Sequence, residues 1–306
     1  LKNGKNVFWG GLTLASQNEG VGLFEQELHA FKSMGGKIYY NSPVDSLIIK
    51  NGEVKGVVSK GKSIESDAVI LASGGFEANT ELRKKYIGND WGLAKVRGTP
   101  NNTGDGLIMA FAAGAMKHGF FKGCHATPMD LYMKDYGGLD LEPSERKNYR
   151  KICYFLGIMI NSKGSRFLDE GLNFRNYTYA QFGRKVLEQP NHFAWQIFDT
   201  KVIDLLYEEY TFHDAHFIEA NTLDKLISKL HNVDKKELHK TISNYNLAVD
   251  TSIEFDPTIL DGKTTRGLEI NKTNWAQKID EGPFRAYPVT GGITFTYGGL
   301  KVDKNG

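Results

Sequence analysis

The period of the apolar positions changes several times along the first part of the chain, and each change predicts an element. Over 22–35, GLFEQELHAFKSMG, the residues Leu23, Phe24, Leu28, Phe31 and Met34 recur at helical spacing and a glycine closes the run, which predicts an amphipathic helix. The following KIYYNSPVDSLIIKNGEVKGVVSKG alternates as strands do, with Asn51-Gly52 as a hairpin turn. DAVILASGGF, at 67–76, is short, continuously apolar and ends in small residues. It reads as a buried strand of an open α/β sheet, with its carboxyl end facing a ligand. TGDGLIMAFAAGA, at 103–115, reads as a loop entering a helix, with Asp105 near the amino end.

Beyond about residue 118 strands and helices mix with longer polar loops such as MKDYGGLDLEPSERKNYRK. CYFLGIMI reads as a buried strand that turns through Asn161-Ser162-Lys163-Gly164, and 221–250 reads as polar helix. The last segment, FRAYPVTGGITFTYGGLKVD, returns to strands and glycine turns. The pattern predicts an α/β core over 1–117 and 286–306, interrupted by an inserted α+β domain over 118–285, with no internal repeat. The opening LKNGKNVFWGG and the closing Lys304-Asn305-Gly306, a hairpin turn lacking its return strand, read as the ends of a fragment.

Composition narrows the function classes. With 306 residues, 40% apolar and 24% charged, the chain is an ordinary globular protein of about two domains. Its 38 basic and 36 acidic residues nearly cancel and form no long basic block, which argues against nucleic acid. No apolar run reaches the roughly eighteen residues that span a bilayer, and the first residues given show no secretory signal pattern. The cysteines, Cys124 and Cys153, have no CxxC spacing. A disulfide framework and a metal site are therefore not expected, and a reducing cytoplasm is the simplest compartment. The 34 glycines cluster in GGF, TGDG, TGG and YGG. Such clusters suit backbone approaching a flat or phosphorylated group, although turns alone account for them equally.

The densest charge lies in NSKGSRFLDEGLNFRNYTYAQFGR, 161–184, where Asp169 and Glu170 accompany Arg166, Arg175 and Arg184. Taken alone, these residues read as salt-bridged scaffolding. His125, in GCHATP, taken alone reads as a structural histidine.

In their order and spacing, the helix with VDSLIIKNGEVKGV, then ILASGGF, then TGDGLIMAFAAGA, then TYGGLKVD resemble the flavoprotein subunit family of succinate dehydrogenase and fumarate reductase. Within that family RGTPNNTGDG, GCHATPMD, LGIMINSKGSRFLDEGLNFRNYTYAQFGR, WQIFD and YPVTGGITFTYGGLKVD look most like tricarballylate dehydrogenases. The resemblance spans nearly the whole chain and implies part of a Rossmann-like FAD-binding domain interrupted by a capping (substrate) domain. The GxGxxG turn that opens the family's fold does not occur here, and the family's closing glycine-rich segment would follow Gly306.

Carried over residue by residue, the resemblance implies that Val44 meets the adenine part of FAD through its backbone. Ala72, Ser73, Gly74 and Gly75 would line the cofactor, with Thr103, Gly104, Asp105 and Gly106 on its flavin-ribityl side. Arg175 corresponds to the arginine that moves the proton, although the spacing from Glu170 is one residue longer than in soluble fumarate reductases. Asp169 and Glu170 would tune it, while Arg166 braces the turn. His125 would hydrogen-bond a substrate carboxylate. Arg150 and Lys151 stand near a Thr-Glu pair of fumarate reductases and would hold an additional carboxylate; a solvated loop charge is the plain alternative for them. Thr294-Phe295 replaces a histidine pair, with Thr294 and Thr296 offering hydroxyls instead.

The implied reaction converts tricarballylate to cis-aconitate, by hydride transfer to flavin N5 with Arg175 taking the neighbouring proton. The implied partners are a small polycarboxylate and an electron acceptor, for which a membrane iron–sulfur protein is the family's habit. Two alternatives stay open: a fumarate- or acrylate-type reductase running in the opposite direction, and an inactive core that binds neither FAD nor substrate. A steroid dehydrogenase fits less well, because clustered arginines suit anions better than an apolar ring system.

Overall fold

The computed structural model describes residues 16–137 and 149–304; part of the polar loop before Tyr149 and the turn at Asn305-Gly306 lie outside the described residues. The chain is mixed α/β. The first helix, α1 (Glu19–Ser33), ends where Gly35 takes the left-handed φ of +85° that lets the chain turn away. An antiparallel three-stranded sheet follows, β1 (Ser46–Lys50), β2 (Glu53–Ser59) and β3 (Lys62–Glu65). Its first turn has positive φ at both Asn51 (54°) and Gly52 (82°), the primed hairpin geometry the Asn-Gly pair predicts.

The expected strand over 67–76 does not form. The segment is irregular and Ile70 is 90% exposed. An inner parallel strand exists only through backbone partners on its edges, and among the described residues no strand pairs with this one. The chain continues through α2 (Thr80–Tyr86), the short β4 (Lys95–Val96) and α3 (Asp105–Ala112), whose start the TGDG sequence predicts.

The larger sheet has six strands. It comprises β4, β5 (Lys117–Asp130), β6 (Ile158–Asn161), β7 (Ala194–Phe198), β8 (Ile218–Ala220) and the 17-residue β9 (Phe284–Leu300). β9 is its spine: it pairs in parallel with β4 and antiparallel with β5, β7 and β8, while β6 joins through β7. Between the pairs Ala126↔Ile293 and His125↔Phe295, β9 carries one residue more than β5, so Thr294 is the extra residue of a β-bulge.

One helix, α4 (Arg175–Leu187), lies across β5 and β9. Gly183 permits the approach: a Cβ there would stand 2.5 Å from both the N and the O of Thr127. With Phe182 and Val186 of α4, Ile152 to Leu156 pack against Phe198, Tyr210, Trp275 and Tyr287 in one buried cluster. The CYFLGIMI run is buried throughout, but it breaks into a 3₁₀ turn at Tyr154–Leu156 before β6. Beyond α5 (Thr200–Ile203), the predicted helical stretch forms α6 (Leu223–Lys229) and α7 (Lys235–Ala248). Their starts are capped by Thr222, accepting from Lys225 N, and Asp234, accepting from Glu237 N. Among the described residues no helix is long and apolar enough to cross a membrane, and no group of three or more His, Cys, Asp or Glu is placed to hold a metal ion.

Candidate active site

Two glycine-rich loops meet at the carboxyl end of β9. A Cβ on Gly106 would stand 2.2 Å from Ser73 Oγ, and one on Gly75 would stand 2.3 Å from Thr296 Oγ1 and 2.7 Å from Glu77 Oε2. Gly74 (φ 75°) and Gly104 (φ 85°) hold left-handed conformations that favour glycine. Thr103 Oγ1 donates to Asp105 Oδ2 (2.7 Å) in front of α3, and Asn102 Nδ2 holds Glu77 Oε1. The other Glu77 oxygen is buried without a partner. Ala72 and Ser73 are exposed, as is Val44, which lies apart just before β1. Thr296, expected among the substrate groups, instead sits against this cradle, its hydroxyl 3.4 Å from the Phe76 N–H. Backbone brought this close, an orphaned carboxylate oxygen and a helix start fit a cofactor with hydroxyl and phosphate groups.

The Gly75→Ala substitution is expected to weaken retention of FAD about tenfold or more, because the added methyl meets Thr296 and Glu77 from two sides. Dilution of the full-length FAD-loaded protein, followed by flavin fluorescence, reads this directly. Retention equal to wild type would remove Gly75 from the cradle.

A second group of side chains converges beside the bulge. His125 is 7% exposed, and its ring lies 4.9 Å from those of both Tyr179 and Phe295. Arg175, the first residue of α4, lies over the rings of Tyr179 (5.6 Å) and Tyr207 (5.5 Å) and hydrogen-bonds the Tyr207 phenol. Arg150 donates to Glu209 Oε1 (2.8 Å). Among the described residues, four buried atoms here have no hydrogen-bond partner: His125 Nδ1, Arg150 Nε, Arg175 Nε and Thr294 Oγ1. Burial, then the charge of Arg97, and then that of Arg150, hold His125 below its ordinary pKa. The ring is therefore neutral near pH 7 and able to donate from one nitrogen only.

The three arginines of 161–184 separate cleanly. Arg166 is a brace: its guanidinium donates to both oxygens of Glu170 and to Ile270 O. Arg184 lies over the Trp91 ring (4.7 Å) and donates to Lys122 O. Arg175 alone of the three joins the group around His125. The acids expected to tune it are committed elsewhere. Glu170 is fully buried and also accepts from Met159 N (2.7 Å), whereas Asp169 accepts from Gly171 N and from Thr273. Among the described residues the Arg175 guanidinium lies against the aromatic faces of Tyr179 and Tyr207 and forms no ion pair.

Lys151 is neither a solvated loop charge nor a surface cation. It is fully buried, 3.5 Å from Asp130 Oδ2, bonded to Glu209 O and set over the Tyr210 ring at 5.0 Å. Its ammonium is spent on the protein interior, as burying a charge requires. Burial pushes the Cys124 thiol up to about 11, which suits packing over redox chemistry.

Arg97, Tyr179, Tyr207, Glu209 and Glu77 belong to these two groups and were not legible as site residues. Arg97 opens the RGTPNNTGDG stretch, whose glycines drew attention instead, and Glu209 reaches Arg150 across 59 positions of sequence.

The profile of a family described as "FAD binding domain" matches residues 12–306. The chain belongs to this family, the FAD-binding domain of the succinate dehydrogenase and fumarate reductase flavoproteins. FAD is accordingly its cofactor, and the glycine cradle supplies residues that fit it. Among relatives, a fumarate reductase (cytochrome) of Shewanella frigidimarina is 30% identical over 82% of this chain and 40% of its own length. An NADH:acrylate oxidoreductase of Vibrio harveyi is 27% identical over 93% of this chain and 27% of its own length. A solved open conformation of a flavocytochrome c3 fumarate reductase shares the fold, with a TM-score of 0.68 at 23% identity over 94% of this chain and 47% of that one. The chain thus spans less than half the length of these relatives.

Proposed function

We propose that this FAD-binding-family chain is part of an oxidoreductase acting on a carbon–carbon bond flanked by carboxylates, with tricarballylate oxidised to cis-aconitate. The observation that carries the reading is the group of orphaned polar atoms on His125, Arg150, Arg175 and Thr294, set among guanidiniums whose one described carboxylate partner is Glu209. Unsatisfied buried donors near cations call for an anion, and an apolar ring system would leave them unpaired.

Held at the cradle of Gly74, Gly75, Gly104 and Gly106, FAD would supply the two-electron chemistry as hydride acceptor. Arg175 holds the position for the proton of the neighbouring carbon. Its guanidinium, fixed at the start of α4 between the rings of Tyr179 and Tyr207, is the group placed to exchange that proton with substrate. His125 donates to one carboxylate, and Arg150 receives another. Residues 118–285 act as a cap that excludes water, because β5, α4 and the segment before β6 all deliver site residues from this part of the chain. Turnover needs an acceptor for two electrons, for which a membrane iron–sulfur protein is taken over from the family. Cysteines left as free thiols, Cys124 and Cys153, accord with a cytoplasmic location.

The opposite direction is the second reading, favoured by the fumarate- and acrylate-reducing names of relatives. An anaerobic visible spectrum of the full-length FAD-loaded protein separates the two. Tricarballylate is expected to bleach the flavin bands. No bleaching with tricarballylate, together with reoxidation of the reduced flavin by fumarate or acrylate, would overturn the dehydrogenase reading in favour of the reductase.

A further inference from the structure

The most unusual cation beside this site is Arg97. Its backbone is fixed between two elements: its N–H donates to Ile293 O (2.9 Å), and its carbonyl lies 2.6 Å from where a Cβ on Gly137 would stand. Val96 pairs with Ile293, and the next residue of β9 is the bulged Thr294, with its buried and unpartnered hydroxyl. A bulge re-aims a side chain out of the regular alternation. Arg97 therefore leaves the end of β4 beside a point where β9 also departs from its ladder with β5.

The Arg97 side chain is half-buried, and among the described residues it makes no ion pair, whereas Arg150 has Glu209 at 2.8 Å. We propose that Arg97 is a specificity residue that grips a substrate carboxylate beyond the pair flanking the reacting carbons, with Thr294 donating to the same group. This rests on the anionic-substrate reading above and deepens it.

Burial and then the neighbouring Arg150 hold Arg97 below the usual arginine range, while Tyr179 and Glu209 oppose them. A guanidinium taken out of water beside a second cation is unfavourable until an anion arrives. Its planar fork matches a carboxylate with two parallel hydrogen bonds, a geometry lysine lacks. A substrate with only two carboxylates leaves this cation unanswered. One with three satisfies it, so the position discriminates tricarboxylates from dicarboxylates.

The test uses the full-length FAD-loaded protein and flavin difference spectra to obtain Kd for tricarballylate and for succinate, which lacks the additional carboxylate. Arg97→Gln is expected to weaken tricarballylate about 100-fold, the loss of charge-assisted hydrogen bonds, and succinate less than about threefold. Arg97→Lys keeps the charge without the fork, and is expected to lose about tenfold for tricarballylate only. It also covers the case in which the glutamine variant sheds its flavin. Equal losses for both acids, or no loss while wild type still binds tricarballylate, would overturn the role of Arg97 and leave the substrate reading standing. Wild-type protein that binds neither acid would overturn both.

Discussion

Replacing Arg175 by glutamine in the full-length FAD-loaded protein is expected to slow flavin reduction by tricarballylate about 1,000-fold, with Kd for the acid changing by less than about tenfold. Positioned proton transfer contributes a factor of about 10² to 10⁴, and that contribution is lost with the guanidinium. Binding survives because His125, Arg150 and Arg97 remain, and because Arg175 stands at the start of α4 with Tyr179 and Tyr207 already enclosing its place. Lysine is no substitute, since a compact point charge without a planar group stacks poorly on two phenol rings. Arg184→Gln is the control: its guanidinium serves Trp91 and Lys122, so single-turnover rates should stay within about threefold. Stopped-flow measurement of both variants decides the matter. Equal rates for Arg175→Gln and wild type would return Arg175 to scaffolding, the reading its sequence neighbourhood first invites.

Gly183→Ala is expected to destabilise the fold by about 3 kcal/mol, at the upper end of ordinary overpacking. Two effects compete here. Alanine is the better helix former by about 1 kcal/mol in a helix interior, which alone would stabilise α4. Against this, the new Cβ would lie 2.5 Å from Thr127 N and O and 2.6 Å from the Ala126 carbonyl carbon, all main-chain atoms of β5 that no rotamer change can move. The other side is closed as well, because the Gly183 carbonyl lies 2.4 Å from where a Cβ on Gly291 would stand. The helix must lift off the sheet, and packing wins over propensity. A thermal melt should show a drop of about 6 to 12 °C. Since α4 carries Arg175, the rate of flavin reduction should fall with it. A melt identical to wild type would show that Gly183 does not set the spacing between α4 and the sheet.

These two predictions differ in how far the residues alone could lead to them. Arg175 was picked out through the likeness of its surroundings to a known motif, yet the acids expected to tune it, Asp169 and Glu170, turned out to serve Thr273, Arg166 and the backbone of Met159. Choosing among several arginines and acids within a score of residues requires knowing which face of the fold each side chain meets. Gly183 raised no signal, because a glycine inside a helical pattern shows its purpose only when another backbone lies against it. Arg97 and Thr294 are 197 positions apart in the chain, and no local pattern brings them together.

The chain's own order of residues determined what short-range physics controls. Periodicity and a closing glycine produce α1, the Asn51-Gly52 turn sets the β1–β2 hairpin, and side-chain caps at Thr222 and Asp234 start α6 and α7. The backbone groups involved are neighbours in the chain, so closing these elements costs little entropy and needs no other part of the molecule. Tertiary structure alone decided the rest. It left 67–76 without strand partners, sank Lys151 against Asp130, set Thr296 on Gly75 rather than in the substrate group, and placed the bulge at Thr294 beside Arg97. Each of these depends on which distant groups share a low-dielectric interior, where a buried charge or donor must find its partner across the fold.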